Sequence, residues 1–330
     1  MEILQQLENQ EVLVIGDVML DRYLTGAVSR ISPEAPVPVV LQHAVEDRLG
    51  GAANVALNIR ALGSTPVLCS VVGRDADGDT FGRLLPENGI SAEGIIYSGE
   101  RVTTVKTRVV GNSQQMLRID REHTRDLSAE ETADFLKNVM RLLDERNIRV
   151  AILQDYNKGV LTPALIRTLM DTFKKRDILT AVDPKKDNFF AYKGADLFKP
   201  TLKEIRDSAP FPVEPSLDSL QRASHFLRET LENRFTMITL SEKGLFLDEP
   251  TGAGRIFPTV PRNISDVSGA GDTVVSVAAL GLAAGLDTAV IAALSNLAGG
   301  QVCEFPGVVP VRRDILAAEL NQWLSQNALL

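Results

Sequence analysis

Several function classes need residues that this chain of 330 residues scarcely has. It holds two cysteines, Cys69 and Cys303, and three scattered histidines, His43, His123 and His225. That leaves no spaced set for zinc and no nucleophile–histidine pair. So few thiols agree with a reducing, cytoplasmic setting. Positive charge is also short: 35 Lys and Arg against 43 Asp and Glu give a net charge of −8. No dense basic block offsets this, which makes nucleic acid a poor partner. The N-terminus lacks the basic start and apolar run of a signal peptide. The most apolar stretch, Val274 to Cys303, is interrupted by Asp287 and several glycines. Its uncharged runs fall short of the ~18 residues of a membrane span, so it reads as two core helices. Gly16-Asp17 is not followed by Gly-x-Gly-x-x-Gly, which argues against an NAD-binding Rossmann enzyme.

What is present is apolar content of 44%, enough for a large core, in a repeated strand–helix alternation. Val12–Ile15, Pro66–Val72, Val150–Leu153, Leu179–Val182, Leu197–Pro200, Thr236–Leu240 and Gly244–Leu247 read as strands. Helices fit from about Gly50 to Leu62, Asp79 to Asn88, Ser128 to Glu145, Pro163 to Arg176 and over 217–233. Ser128-Ala-Glu-Glu131 and Thr162-Pro163 supply start signals. The fold class is therefore α/β, a mostly parallel central sheet with helices on both faces. Residues 21–49, with Pro33, Pro36 and Pro38, suggest short proline-limited strands, and 103–120 a half-exposed hairpin turning at Gly111-Asn112. Together they predict a small β-lid. No linker or repeat divides the chain, so 1–330 reads as one domain. Polar residues at strand ends (Asp17, Asp155, Asp183, Thr201, Glu204, Thr239) should gather along one edge.

Asp266-Val-Ser-Gly-Ala-Gly-Asp272 precedes a helix of small apolar residues. Gly269, Ala270 and Gly271 then fall at a helix N-terminus, whose unpaired N–H groups and dipole suit a phosphate. A carboxylate beside an anion site repels its ligand. Asp272 is thus either a base for an attacking hydroxyl or a plain N-terminal helix charge, and the turn alone leaves both open. Lys106, Arg108 and Arg118, alternating along the hairpin, are either solvated strand charges or a basic cluster for a substrate phosphate.

Gly50-Gly51-Ala-Ala-Asn54 and Asp266–Asp272, in that order around a β-rich insert, resemble the two signatures of the ribokinase-like (PfkB) carbohydrate kinases. The resemblance runs over nearly the whole chain. Gly16-Asp-Val-Met-Leu-Asp-Arg-Tyr23, Ser29-Arg-Ile-Ser-Pro-Glu-Ala-Pro-Val-Pro-Val39, Ser113-Gln-Gln-Met-Leu-Arg-Ile-Asp120 and Asp155-Tyr-Asn-Lys-Gly159 are similar to the bacterial heptose 7-phosphate kinases. That branch implies ATP-dependent phosphorylation of O1 of D-glycero-D-manno-heptose 7-phosphate, for ADP-heptose and lipopolysaccharide. The alternatives are a kinase for another sugar (fructose or tagatose phosphate, ribose, a nucleoside) and a non-catalytic sugar or nucleotide binder. The branch is often fused to a nucleotidyltransferase bearing His-x-Gly-His; that motif does not occur here, so a stand-alone kinase is expected.

Carried over residue by residue, the resemblance makes Asp272 the general base and the backbone of Gly269, Ala270 and Gly271 an anion hole. Asp17, Gly50, Gly51 and Asn54 would hold sugar hydroxyls, glycine letting the ring approach; a helix-start hydrogen bond is the alternative for Asn54. Arg108, Gln115, Asp155, Lys158 and Lys185 would surround the substrate. Thr201, Glu204, Thr239, Ser241, Lys243, Gly244, Gly269 and Gly271 would meet the nucleotide. Asn296 would approach the adenine or pack helices. Magnesium would be reached from Glu204 through water, and Asp266 and Ser268 would line a potassium site. Two departures stand out. The family's Asn-x-x-Glu box reads Thr201-Leu-Lys-Glu204, and its Thr-x-Gly-x-x-Gly loop reads Thr239-Leu-Ser-Glu-Lys-Gly244, the latter in keeping with the heptose branch. A homodimer through the lid is expected, because a two-faced β-layer is seldom left unpaired.

Overall fold

The structure is a computed structural model and describes residues 2–250 and 254–327. Its strands are β1 (Glu11–Gly16), β2 (Val18–Ile31), β3 (Pro38–Gly51), β4 (Thr65–Gly73), β5 (Ile95–Ser98), β6 (Val105–Gly111), β7 (Gln114–Arg121), β8 (Ile148–Gln154), β9 (Leu179–Asp183), β10 (Leu197–Phe198), β11 (Phe235–Thr239), β12 (Leu245–Asp248) and β13 (Arg255–Phe257). Its helices are α1 (Glu2–Gln5), α2 (Ala52–Ala61), α3 (Ala76–Glu87), α4 (Ala129–Glu145), α5 (Pro163–Lys175), α6 (Leu202–Ser208), α7 (Leu217–Leu231), α8 (Ala270–Ala283), α9 (Thr288–Val302) and α10 (Arg313–Asn327).

Nine strands form one sheet in the order β13-β12-β11-β10-β9-β8-β1-β4-β5. All neighbours from β5 to β11 run parallel, and only β12 and β13 are antiparallel. The run Val12–Ile15 is apolar throughout because both of its faces are covered. Val12 and Val14 pack into the layer of α2, α8 and α9, and Leu13 and Ile15 into that of α4, α5 and α7. Strand order reverses at β1, which lies between β8 and β4. The ends of β1 and β8 therefore open a crevice at the switch point, where parallel sheets place ligands.

The capping residues act as expected. Ser128 and Glu131 close a capping box on α4, and Thr162 caps α5 with Pro163 in its first turn. The apolar stretch does divide into α8 and α9. No helix among the described residues is long and apolar enough to cross a membrane. β5, β13 and α10 carried no signal that the sequence reading used.

The lid differs from its expectation. Where short strands were expected over 21–49, β2 and β3 are 14 residues each and run beyond that stretch at both ends, and the four-stranded order is β3-β2-β6-β7. Pro33 and Pro36 fall in the connection and Pro38 opens β3, so none of them interrupts the ladder. The hairpin turns at Asn112-Ser113, φ 52° and 64°, one residue later than predicted; two successive left-handed residues match the twist of a two-residue hairpin loop. Likewise only Leu197 and Phe198 pair in the 197–200 stretch.

Candidate active site

Asp272 sits in the first turn of α8 and is only 3% exposed. Three side chains from other elements donate to it: Asn54 Nδ2 to Oδ2 at 2.9 Å, and Tyr156 Oη and Gln154 Nε2 to Oδ1 at 2.7 and 3.2 Å. Burial pushes its carboxyl up to about 6, against the hydrogen bonds of Asn54 and Tyr156 and the charge of Lys199, which favour the anion. The residue is thus a fixed carboxylate poised to titrate near neutrality, which suits proton abstraction.

The turn beneath it needs its first glycine twice over. Gly269 caps α8 at φ +80°, and a Cβ there would lie 2.6 Å from Asn54 Nδ2. The Ala270 N–H already makes a long local bond to Val267 O at 3.4 Å, whereas the N–H groups that follow point out of the helix start. Asn54 thus links α2 to Asp272.

Two other residues expected at the substrate, Asp17 and Asp155, also organise a loop. Asp17 accepts backbone N–H bonds from Tyr156, Lys158 and Val160 at 2.8, 3.0 and 3.1 Å. Burial, then the charge of Asp155, raises its carboxyl to about 6 in spite of those donors. Asp155 accepts from Asn157 N–H at 2.8 Å, Tyr192 Oη at 2.7 Å and Asn188 Nδ2 at 3.0 Å. Between them they shape the turn that presents Tyr156. The glycines at 50 and 51 have a local reason as well. A Cβ on Gly50 would meet Asp21 Oδ2 at 2.1 Å, and Gly51 adopts φ +61° with Asp17 O 2.4 Å from its Cβ position. Protein atoms crowd both positions.

One face of the lid covers this crevice. Residues paired across strands share a face, so Asp21 and Lys106 lie together, as do Tyr23 and Arg108. Arg108 is ion-paired with Asp21, both buried. Lys106 lies over the Tyr156 ring at 5.4 Å and Lys185 over the same ring at 5.5 Å. Lys158 pairs with Glu122 at 2.8 Å. Gln115, by contrast, is exposed near the lid's tip, opposite Val110.

On the other side of Asp272 lie the expected nucleotide residues. Thr201 caps α6: its hydroxyl accepts from Glu204 N–H at 3.1 Å while Glu204 Oε2 accepts from Thr201 N–H at 2.8 Å. Threonine does here what asparagine does at a helix start. Glu204 Oε1 is ion-paired with Lys185, and Lys185 followed by Lys199 holds this carboxyl below its ordinary value although burial opposes them. Thr239 bridges to Thr201 across parallel strands. Its loop is closed by Leu240 N–H to Gly244 O at 2.7 Å, with Ser241 at φ +54° and Gly244 at φ +94°, and Lys243 ends the short turn 241–243. Asn296 donates to Pro258 O at 2.8 Å, so it ties α9 to the chain behind that loop. Asp266 accepts from Ser268 N–H and Gly307 N–H at 2.9 and 3.0 Å, binding two loops together.

The arrangement is a crevice at the switch point with a buried carboxylate at a helix start and a lid above it. Residues 9–312 match the sequence model of the pfkB family carbohydrate kinases. The chain belongs to that family. As a pfkB-family kinase it is a sugar phosphotransferase, and the ribokinase-like α/β fold with a β-lid agrees with its expectation. It is 40% identical over 311 residues to the bifunctional protein HldE of Citrifermentans bemidjiense, which covers 94% of this chain and 63% of that protein. To the HldE of Syntrophotalea carbinolica it is 37% identical, over 99% of this chain and 65% of the relative. The kinase therefore spans less than two thirds of the length of these relatives. Among solved structures it is similar in fold to Escherichia coli phosphofructokinase-2 in complex with potassium, at TM-score 0.79 and 17% identity, over 96% of this chain and 99% of that one. Arabidopsis thaliana ribokinase complexed with ribose and ATP gives 0.71 and 15%, over 95% and 99%.

Sequence reasoning set Asp183 on the ligand edge without giving it a role, and passed over Gln154, Lys199 and the hydroxyl of Tyr156. Tyr156 lies in the quoted Asp155–Gly159 motif; the other three sit at strand ends, the one signal available for them.

Proposed function

We propose that this kinase transfers the γ-phosphoryl group of ATP to O1 of D-glycero-D-manno-heptose 7-phosphate, giving the 1,7-bisphosphate on the way to ADP-heptose and the lipopolysaccharide core. The observation that carries the chemistry is the buried Asp272 at the start of α8, its carboxyl raised to about 6. The acceptor hydroxyl gives its proton to Asp272 as the new O–P bond forms. The bond from phosphorus to the bridging oxygen breaks, and its electron pair leaves on ADP. N–H groups of the Gly269–Gly271 turn meet the charge that develops on the transferring group. The choice of sugar rests on the motif resemblance and on the 40% identity to HldE proteins. Lys106, Lys158 and Lys185, around Tyr156 and its loop, are the cations for a substrate phosphate; Lys158 would leave Glu122 and Lys185 would leave Glu204 to meet it, as Arg108 would have to leave Asp21.

Magnesium fits this site only as a phosphate-borne ion. Among the described residues no group of three His, Cys, Asp or Glu could hold a metal, and both Glu204 oxygens already have partners. Glu204 would hold such an ion through water, and the ion would supply charge neutralisation for the phosphates. Asp266 and Ser268 remain the proposed potassium residues. A homodimer through the outer face of the lid and a cytoplasmic location complete the reading.

The test is coupled ADP release with heptose 7-phosphate, fructose 6-phosphate, tagatose 6-phosphate, ribose and a nucleoside. Heptose 7-phosphate should lead all of them in kcat/KM, and lead ribose and the nucleoside by at least ~10²-fold, since a site built for a charged group rejects analogues that leave it unpaired. Preference for a non-phosphorylated sugar would overturn the substrate assignment.

A further inference from the structure

Lys199 follows the last residue of β10, where its N–H donates to Val182 O at 2.8 Å. The side chain is fully buried, at 0% exposure. Its ammonium lies 3.1 Å from Asp183 Oδ2, an ion-pair distance, yet no hydrogen bond of acceptable angle reaches Nζ among the described residues. Asp183 Oδ2 also accepts from Gln154 Nε2 at 3.0 Å, and its buried Oδ1 has no hydrogen-bond partner among the described residues. A buried lysine has three donors, and leaving them unused is costly. A ligand is therefore the natural acceptor.

Its direction identifies that ligand. A Cβ built on Gly271 would stand 3.8 Å from Lys199 Nζ and 3.7 Å from Asp183 Oδ2, with nothing else within 4 Å. The start of α8 thus opens onto the ammonium, and two sources of positive potential, the helix N-terminus and the lysine, converge on one place. Lys199 also acts on both neighbouring carboxylates, favouring the anionic forms of Asp272 and Glu204.

We propose that Lys199 is a phosphoryl-contacting residue: its ammonium hydrogen-bonds oxygens of the γ-phosphoryl group beside Gly271, before and during transfer. This rests on the kinase reading above and adds a catalytic residue to it. Lys199 neither gains nor loses a proton. It exchanges its loose contact with Asp183 for the phosphoryl oxygens, while the acceptor's proton still goes to Asp272 and the electron pair of the breaking bond to ADP.

The rival role is charge balance for Asp183, and a mutant cycle separates the two. Lys199→Met should lower kcat ~10²-fold, the scale for removing one preorganised electrostatic contact, and should also lower Tm. Adding Asp183→Asn should restore Tm, yet turnover should stay at least ~30-fold below Asp183→Asn alone. A double variant within about threefold of Asp183→Asn would overturn the proposal. Calorimetric binding supplies a readout that needs no turnover. Lys199→Met should weaken magnesium–ATP at least ~10-fold and magnesium–ADP less than about threefold, because only ATP carries the group that Lys199 touches. Equal weakening of both, or of neither, would sink it even if Asp183→Asn were inactive. Failure of the substrate assignment shows separately, in wild-type protein that binds ATP but releases no ADP with heptose 7-phosphate.

Discussion

Asp272 lies under three side-chain donors and Asp17 under three backbone N–H groups, whereas Val45 and Leu117 on the lid stand 52% and 55% exposed. The register places Val45, Leu24, Val109 and Leu117 in one row across the four lid strands, on the face away from Asp21 and Lys106. The crevice floor is therefore complete within one chain, its dipoles set before substrate arrives. The outer lid is incomplete: an apolar row is left in water, which is what a second copy of the lid would cover. Under the proposed reading, chemistry belongs to the first region and self-association to the second, and the lid's inner face joins the two.

That division can be broken most severely at Asp272. Asp272→Asn should lower kcat at least ~10²-fold, on the scale of general acid–base catalysis, with little change in KM. Steady-state kinetics would decide it, and full activity in the amide variant would remove the base from the floor. Tyr156→Phe comes next. Losing one hydrogen bond to a charged group should cost roughly tenfold in kcat. The same bond stabilises the ionised form of Asp272. The acid limb of the pH–rate profile, expected near about 6 in the wild type, should therefore move upward; an unmoved limb would leave Tyr156 as packing only. On the lid, Leu117→Asp should weaken self-association at least ~10-fold in sedimentation while leaving the floor intact. A wild type that sediments as a monomer at micromolar concentration would refute the comparison itself. The smallest effect is expected at the departure from the family pattern. Thr201→Asn should hold stability within about 0.5 kcal/mol, and Thr201→Ala should cost about 1 kcal/mol, because either oxygen-bearing side chain caps α6 but a methyl cannot.

Much of the scaffold was legible because it is written locally. Alternation of apolar runs and capping pairs such as Ser128 with Glu131 depends on neighbours a few residues apart. The lid was legible as a hairpin but not in strand length, since Pro33 and Pro36 look like breaks until their place in the connection is seen. At the site, Asp272 and its glycine turn were readable from type and order. The partners of Asn54, Asp17 and Asp155 were not, because an amide or carboxylate in a turn can serve ligand or backbone equally well. Lys199 was invisible for the same reason, as a lysine in sequence looks like any solvated cation.

By itself the sequence determined the doubly covered parallel sheet, the glycine turn at Gly269–Gly271 and the carboxylate that follows it. Each follows from short-range hydrophobic period and backbone freedom. Only the tertiary structure decided who holds that carboxylate, for its donors Asn54 and Tyr156 lie 218 and 116 residues away along the chain. Hydrogen-bond geometry and burial, which set both its orientation and its readiness to take a proton, come into being only when those distant segments meet.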